Sequence, residues 1–292
     1  MTPHDFDFLR RLLKDRSGLV LSAEKDYLLE SRLLPLARRH GMTSLGELAS
    51  RLRQTGNTAL AIAVTEAMTT NETFFFRDRI PFDHLRDTII PALVAARSRE
   101  KRIRIWCTAA ASGQEPYSIA MMLKAMAAQL TGFRIDILAT DLSVEVIARA
   151  KAGLYSQFEV QRGLPIQLLV KYFKQQGERW QIDEAIRKMV QFRPFNLLED
   201  MVPLGRFDVV FCRNVLIYFD QPTKVDVLER IARLIEPDGY LVLGAAETVV
   251  GLTEVFKPNN ERRGLYLPNA AAAKAATPGF AALKTAAVAA IR

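Results

Sequence analysis

The turn at residues 108–115, with the sequence Thr-Ala-Ala-Ala-Ser-Gly-Gln-Glu, joins an apolar, β-branched run to a stretch with helical spacing. Its small residues let the backbone pass close to a bound ligand. A dinucleotide site would favour G-x-G-x-x-G with amides free for a pyrophosphate, whereas Gly113 is the only glycine here and Glu115 adds negative charge. This charge repels phosphate and suits a cation, so the turn favours S-adenosylmethionine, with its sulfonium and ammonium groups, over a nicotinamide dinucleotide.

Asp141 ends the next strand-like run, in the segment Leu-Ala-Thr-Asp-Leu-Ser. An acid at this place in an α/β fold can hydrogen-bond the ribose hydroxyls of a nucleotide-type cofactor. The alternative is that Asp141 caps the helix that begins near Ser143. Either kind of cofactor would use such an acid, so Asp141 supports the fold more than the choice of ligand.

Two further clusters place polar side chains beside apolar runs. Residues 69–78 read TTNETFFFRD, and residues 211–220 read FCRNVLIYFD. The phenylalanines are interpreted as core, and each polar residue alone could be a cap or a surface pair. Several polar residues at a strand end, on the edge where α/β sheets bind ligands, indicate a binding site. The polar residues are Asn71, Thr73, Arg77, Arg213, Asn214 and Tyr218.

The elements that must position these residues follow two different patterns of secondary structure along the chain. Residues 1 to about 70 have apolar residues at helical spacing, which predicts four helices, for example over Asp5–Lys14 and Thr58–Met68. From Lys101 onward strands and helices alternate, which indicates a mostly parallel sheet with helices on both faces. Residues 155–190 interrupt the alternation, and a short hairpin is predicted around Gly177.

The fold class predicted is therefore α/β, a Rossmann-like domain with a helical N-terminal domain and a small β-subdomain insertion. The expected domains are 1–75, 76–268 with the insertion at roughly 155–190, and an alanine-rich, flexible tail at 269–292.

Composition limits the classes of function. The formal net charge is +8, which favours acidic partners without choosing among them. No apolar run approaches the roughly 20 residues that span a bilayer, and no secretory signal begins the chain, so a cytoplasmic protein is expected. Cys107 and Cys212 lie in apolar runs and are expected to be buried free thiols. Three scattered histidines show no ligand spacing, so no metal site is predicted.

Together these segments closely resemble the chemotaxis-receptor methyltransferases of the CheR family. The resemblance covers residues 1 to about 267, and its motifs occur in family order. The matching pieces are Thr70-Asn-Glu-Thr-Phe-Phe-Phe-Arg, Ala109-Ala-Ala-Ser-Gly-Gln-Glu-Pro-Tyr-Ser, Ala139-Thr-Asp-Leu-Ser, Asn196-Leu-Leu and Phe211-Cys-Arg-Asn-Val-Leu-Ile-Tyr-Phe-Asp.

The resemblance implies a bacterial enzyme that moves a methyl group from S-adenosylmethionine to glutamate carboxylates of chemoreceptors, leaving S-adenosylhomocysteine. The implied partner is the cytoplasmic helical domain of the receptor, with no nucleic acid and no direct membrane contact. Arg77 and Tyr218 are implied nearest the transferred methyl group. The implied cofactor contacts are Asn71, Thr73, Arg77, Glu115, Asp141, Asn196, Leu197, Arg213 and Asn214.

Three departures from the family pattern stand out. Gln114 occupies the place of a second acid, and Gly244-Ala-Ala-Glu replaces the usual Gly-His-Ser-Glu. The hairpin around Gly177 is shorter than in members that grip a receptor's C-terminal pentapeptide, so pentapeptide-independent recognition is expected.

A nucleic-acid methyltransferase and a non-catalytic binding module are the rival hypotheses. Against the first, no suitable catalytic Cys and no Asp-Pro-Pro-Tyr-like element appears; against the second, the chain retains Arg77 and Tyr218.

Overall fold

The computed structural model describes residues 2–55 and 58–273. The N-terminal part folds as helices that share one apolar core, in which Leu9 and Leu33 are fully buried. Thr2 and Asp5 form a capping box at the start of the first helix, and Gly18 ends it in the left-handed conformation. The four helices are α1 Pro3–Ser17, α2 Asp26–Arg39, α3 Leu45–Thr55 and α4 Thr58–Met68.

Strands and helices alternate through the rest of the described chain. The strands are β1 Arg102–Cys107, β2 Arg134–Asp141, β3 Leu154–Ser156, β4 Phe173–Gln176, β5 Arg179–Ile182, β6 Val190–Pro194, β7 Phe207–Cys212, β8 Ile235–Leu243, β9 Phe256–Pro258 and β10 Leu265–Pro268. The helices are α5 Ile80–His84, α6 Ile90–Ala96, α7 Gln114–Ala125, α8 Val144–Ala152, α9 Gln157–Gln161, α10 Ile166–Tyr172, α11 Glu184–Arg187, α12 Gln221–Leu234 and α13 Ala270–Ala273. A π-helical turn at Leu85–Ile89 joins α5 to α6.

The main sheet has seven strands in the order β6-β2-β1-β7-β8-β10-β9. The first five are parallel, and β10 pairs antiparallel with both β8 and β9. Apolar clusters cover the two faces of the sheet, and the indole of fully buried Trp106 satisfies its N–H by donating to Thr140 Oγ1 at 2.9 Å. The predicted α/β class is confirmed. Because the strand order reverses at β1, ligands are expected beyond the carboxyl ends of β1 and β7.

A second sheet, in the order β3-β5-β4, is antiparallel and forms a subdomain at residues 154–182. The predicted hairpin is present as β4 and β5, with Gly177 at a positive φ of 61° in the turn. Phe75, fully buried, packs edge-on against Tyr155 and Phe173 of the subdomain, with ring centroids 5.0 and 5.6 Å away. The proposed domain boundaries stay predictions. The expected flexibility of the tail concerns mainly residues 274–292, which lie outside the described residues.

The largest differences from the predicted elements occur where periodicity is weak. The helix predicted over Glu115–Leu130 ends at Ala125, and turns fill the space before β2. The strand predicted over Tyr240–Gly244 begins earlier, at Ile235, and its pairing with β7 is irregular between Phe207 and Val209. The Pro-Asp-Gly sequence inside β8 looks like a turn, and the irregular pairing accommodates it without ending the strand.

The helical part contacts the sheet part close to the strand ends. The Asn196 side chain donates to the carbonyl oxygen of Arg16 at 2.6 Å. The Val20 amide donates to the carbonyl oxygen of Tyr218 at 2.9 Å. Gly18 lies so close to Phe219 that a Cβ there would come within 2.9 Å of the ring. These contacts place the end of α1 directly against the segment after β7.

An ion pair between Lys14 and Asp220, 2.7 Å apart, crosses the same junction and yields a prediction. The Asp220 carboxylate accepts hydrogen bonds from Lys14 and Thr223, and these lower its pKa from 3.8 to about 2. Asp220→Asn keeps a side-chain oxygen to cap α12 but removes the charge, so we expect Tm to fall by about 1–2 °C near pH 7, because exposed ion pairs are weak.

The folded-state pKa of Asp220 lies below its unfolded value, so this contribution is present above about pH 4 and is lost as pH falls towards 2. Thermal melts of wild type and Asp220→Asn between pH 7 and pH 3 measure the difference in Tm. A difference that stayed constant over this range would contradict the assignment to the ion pair.

Candidate functional site

An open cavity with about 990 Å³ of empty volume, counting solvent at its mouth, lies at the carboxyl ends of β1, β2, β6 and β7. The residues that follow these four strands form most of its wall, as expected for an α/β sheet. Segment 68–73, which connects α4 to the sheet part, adds a further wall. Ser17 and Leu19, from the end of α1, complete it. The helical part therefore contributes directly to the cavity.

All ten residues predicted from the sequence line this one cavity, although they come from five separate stretches of the chain. Their individual roles stay predictions, but none of them lies elsewhere. They are Asn71, Thr73, Arg77, Glu115, Asp141, Asn196, Leu197, Arg213, Asn214 and Tyr218.

Arg213 is buried at the end of β7 and is paired on two sides. One Nη atom lies 2.5 Å from Glu115 and the other lies 2.7 Å from Asp78, and the second also donates to the carbonyl oxygen of Arg77. Burial raises the pKa of the Glu115 carboxyl, and the guanidinium of Arg213 opposes that rise. The resemblance implied that Glu115 and Arg213 both contact the cofactor; in the folded chain these two side chains also bind each other.

Asp141, also buried, fixes the turn after β1. Its Oδ2 accepts the Ala111 amide at 2.9 Å and its Oδ1 accepts the Ser143 amide at 3.0 Å. The capping residue of α8 is Ser143 itself, whose hydroxyl accepts from Val146. Burial raises the pKa of Asp141, while these amide donors lower it. Each carboxylate oxygen keeps a second lone pair, so the carboxylate can still accept a ribose hydroxyl.

The segment before α5 is held by the backbone contacts of two arginines. Arg32 of α2 donates to the carbonyl oxygens of Met68 and Thr69 at 2.7 and 3.0 Å, which satisfies the end of α4. Arg77 donates to the carbonyl oxygen of Glu72 at 2.8 Å. The cavity wall that carries Asn71 and Thr73 is thus fixed at both ends.

Glu247 is a residue of this site that the sequence reasoning did not identify. Its buried carboxylate accepts four backbone amides: Oε1 those of Val215 and Leu216, and Oε2 those of Asn214 and Gly244, at 2.7–2.9 Å. Asn214 has a positive φ of 57°, so the turn needs such support. The sequence signal that could have identified Glu247 is the acid at the end of the segment Gly244-Ala-Ala-Glu. The two alanines in this departure from the family pattern are exposed, and the acid that supports the turn is retained.

The described residues contain no group of three or more His, Cys, Asp or Glu side chains that could hold a metal ion. Cys107 and Cys212 are buried and free, as expected, and burial raises the pKa of both thiols. None of the helices in residues 2–55 and 58–273 combines the length and hydrophobicity that a bilayer crossing requires.

The donors and acceptors of the cavity fit S-adenosylmethionine. Asp141 at the end of β2 suits ribose hydroxyls, and the acidic start of α7 suits a cation more than a phosphate. Arg77 offers a cationic group for the cofactor carboxylate. The Nε atom of Arg213 is buried without a hydrogen-bond partner among the described residues, so one further acceptor would satisfy it. Fold and cavity define an S-adenosylmethionine-dependent methyltransferase.

Comparisons with known proteins specify the family. The CheR methyltransferase SAM binding domain matches residues 71–265, and the CheR methyltransferase all-alpha domain matches residues 4–69. Chemotaxis protein methyltransferase 1 of Pseudomonas aeruginosa is 44% identical over 258 residues, which cover 87% of this chain and 93% of that protein. Chemotaxis protein methyltransferase Cher2 of Pseudomonas putida is 42% identical over 257 residues, 87% and 93% of the two chains. A chemotaxis protein methyltransferase of Vibrio anguillarum is 40% identical over 250 residues, which cover 85% of this chain and 90% of that protein.

The chain belongs to the CheR methyltransferase family. It is an S-adenosylmethionine-dependent chemotaxis protein methyltransferase, which confirms the cofactor and the class of enzyme expected from the sequence.

The contacts of Glu247 generate a prediction about the cofactor cavity. Glu247→Gln keeps the shape but turns an NH₂ group towards two backbone N–H donors, so two hydrogen bonds are lost and the 213–216 turn shifts. We expect the binding free energy of S-adenosylhomocysteine to weaken by about 1–3 kcal/mol, measured by calorimetry. The control is Glu254→Gln at an exposed position. Wild-type affinity in Glu247→Gln would show that the turn does not depend on the carboxylate.

Proposed function

We propose that this enzyme esterifies glutamate side chains in the helical cytoplasmic domain of chemoreceptors, so that it acts in adaptation of chemotactic signalling. The observation that carries the proposal is the convergence of all ten predicted residues on one cavity in a chain of this family. The names of the relatives support a chemotaxis substrate. The enzyme works in the cytoplasm and approaches the membrane only through the receptor.

The chain's part in the reaction is mainly positioning. Bound S-adenosylmethionine supplies a methyl group that its positively charged sulfur has already activated. A glutamate carboxylate is ionised at neutral pH, so the protein needs no general base. Transfer would join the carboxylate oxygen to the methyl carbon and return the carbon–sulfur electron pair to sulfur, so the opposite charges would cancel. The cavity must therefore align the two atoms and exclude water.

Arg77 and Tyr218 are the residues we assign to the reacting end. Both line the cavity, and each belongs to a segment that other contacts hold in place. The Tyr218 hydroxyl would orient the incoming carboxylate, and Arg77 would fix the cofactor end and balance the substrate charge. The other eight predicted residues would bind the cofactor: Asn71, Thr73, Glu115, Asp141, Asn196, Leu197, Arg213 and Asn214.

The direct test uses S-adenosylmethionine with a labelled methyl group and purified receptor signalling domains. We expect label that is released as methanol by mild base, as for a carboxyl ester, and no label on nucleic acid offered as a competitor. Base-stable label, or label on nucleic acid, would overturn the proposal in favour of a different methyl acceptor. Absence of transfer to either substrate, with cofactor bound, would favour a binding module.

The role of Tyr218 gives a separate prediction. Tyr218→Phe removes one hydroxyl and almost no volume, so the affinity for S-adenosylhomocysteine should barely change. The value of kcat should fall by about 10- to 100-fold if the hydroxyl aligns the carboxylate in the transition state. The companion variant Tyr240→Phe removes a hydroxyl away from the cavity. Unchanged turnover at saturating substrate would remove Tyr218 from the reacting end.

Recognition of an acidic receptor helix is proposed to use the basic stretch between Arg32 and Arg53. Three of its arginines are already engaged: Arg32 binds backbone at the end of α4, Arg51 donates to the carbonyl oxygen of His40 at 3.3 Å, and Arg53 pairs with Asp5 at 2.8 Å. Arg38 and Arg39 are exposed at the end of α2. They lie about 10 Å along the helix, at 1.5 Å per residue, from Arg32, whose side chain binds the cavity-lining residues Met68 and Thr69.

Charge reversal tests this surface. Arg38→Glu with Arg39→Glu should raise KM for the receptor by about tenfold while kcat stays near wild type, because steering charges act on binding. The matched control is Arg99→Glu with Lys124→Glu, two exposed positions at the opposite edge of the sheet. Wild-type activity should also fall with added salt, since charges are screened over about 10 Å at 0.1 M.

Pentapeptide-independent binding is the other half of this recognition proposal, and the four-residue strands of the β4–β5 hairpin support it. Receptors with and without their last five residues should be methylated at similar rates. A large loss of rate on truncation would contradict this and would leave the arginine surface without its main support.

A further inference from the structure

Arg162, the residue after α9 in the subdomain, contacts the cavity wall in two ways. One Nη atom donates to the Glu72 carboxylate at 2.7 Å, and the guanidinium lies 4.4 Å from the centroid of the Phe74 ring. Both partners belong to segment 72–77, which leads to Arg77. The subdomain therefore holds this segment by an ion pair and a cation–π contact at neighbouring positions.

Gly163, the residue after Arg162, brings the backbone of the subdomain close to the backbone of segment 72–77. Gly163 has a positive φ of 84°, and a Cβ there would lie only 2.1 Å from the carbonyl oxygen of Phe75. The Phe75 ring is buried among subdomain aromatic rings. Segment 72–77 is thus anchored to the subdomain through three of its residues, and the glycine permits the close approach.

Arg77 shares both partners of Arg162. Its guanidinium lies 5.7 Å from the Phe74 ring centroid, and its Nη1 donates to the carbonyl oxygen of Glu72. Arg162 takes the carboxylate of Glu72, and Arg77 takes its carbonyl oxygen. Any shift of Glu72 and Phe74 would therefore carry the guanidinium of Arg77 with it.

We propose that Arg162 is a positioning residue of the methyl-transfer site, which sets the guanidinium of Arg77 through Glu72 and Phe74. The inference rests on the role proposed above for Arg77. It makes the subdomain a second support for the reacting end, in addition to the strand ends of the main sheet.

Arginine suits this position better than lysine does. Its planar guanidinium can stack on a ring and bind a carboxylate at the same time, whereas an ammonium group is a point charge. Arg162→Lys should keep the ion pair with Glu72 but lose the stacking on Phe74, so its effect should lie between wild type and Arg162→Ala.

The experiment is a double-mutant cycle on the full chain, with receptor methylation and S-adenosylhomocysteine binding as readouts. Arg162→Ala should lower kcat about tenfold, since small displacements of a positioned group cost rate, while Tm stays close to wild type because the side chain is partly exposed. In an Arg77→Lys background, Arg162→Ala should cause no further loss. Arg149→Ala is the control, because Arg149 pairs instead with Glu159 on α9.

The outcomes separate the two proposals. Wild-type activity of Arg77→Lys would overturn the proposed role of Arg77, and the positioning inference with it. Impaired Arg77→Lys combined with wild-type kcat in Arg162→Ala and Arg162→Lys would overturn the inference alone. Losses that multiply in the double variant would also overturn it, because Arg162 would then act independently of Arg77.

Discussion

The buried guanidinium of Arg213 is the charge around which this site is organised. A lone charge with this burial would cost several kcal/mol, and it is tolerated because Glu115 and Asp78 lie on either side of it. Glu115 opens α7 after β1, Arg213 follows β7, and Asp78 precedes α5. One ion-pair network therefore ties together the two central strands of the sheet and the segment that carries Arg77.

The same network shapes the electrostatics that a cofactor meets. Arg213 partly neutralises Glu115, so the cavity does not present one unpaired acid to a sulfonium ion. Near the turn after β1 its lining carries two acids, Glu115 and Asp141, and one base, Arg213. Such a balance suits a cofactor with both cationic and anionic ends. It also suits a reaction in which charge disappears, since strong stabilisation of a charged ground state would slow the displacement.

Sequence patterns predicted the class of fold, because the alternation of strands and helices is a local signal, and the resemblance to the CheR family completed the list of cavity residues. Residues after parallel strands meet at one edge of a sheet, which explains why Glu115, Asp141 and Arg213 lie together, whereas Asn196 and Leu197 were implied only by the resemblance to the CheR family. The patterns could not predict how those residues pair. Glu115 and Arg213 are far apart in the chain, and their ion pair exists only because β1 and β7 are neighbours. Glu247 was missed for a different reason: the acid itself stands in the segment Gly244-Ala-Ala-Glu, but its four partners are backbone amides, which carry no sequence signal.

Local sequence rules fail most clearly around the cavity, and this failure has a physical meaning. Non-glycine residues with positive φ cluster there, among them Phe76, Asp78, Ala111 and Asn214. Each such conformation costs about 1–3 kcal/mol and survives only where the surroundings determine it. Ala111 is held by Asp141, Asn214 by Glu247, and segment 72–77 by the subdomain. The strain and its supports thus coincide with the walls of the cavity. A methyl transfer that needs alignment more than acid–base chemistry depends on backbone held in this way, because the geometry is fixed before any substrate arrives.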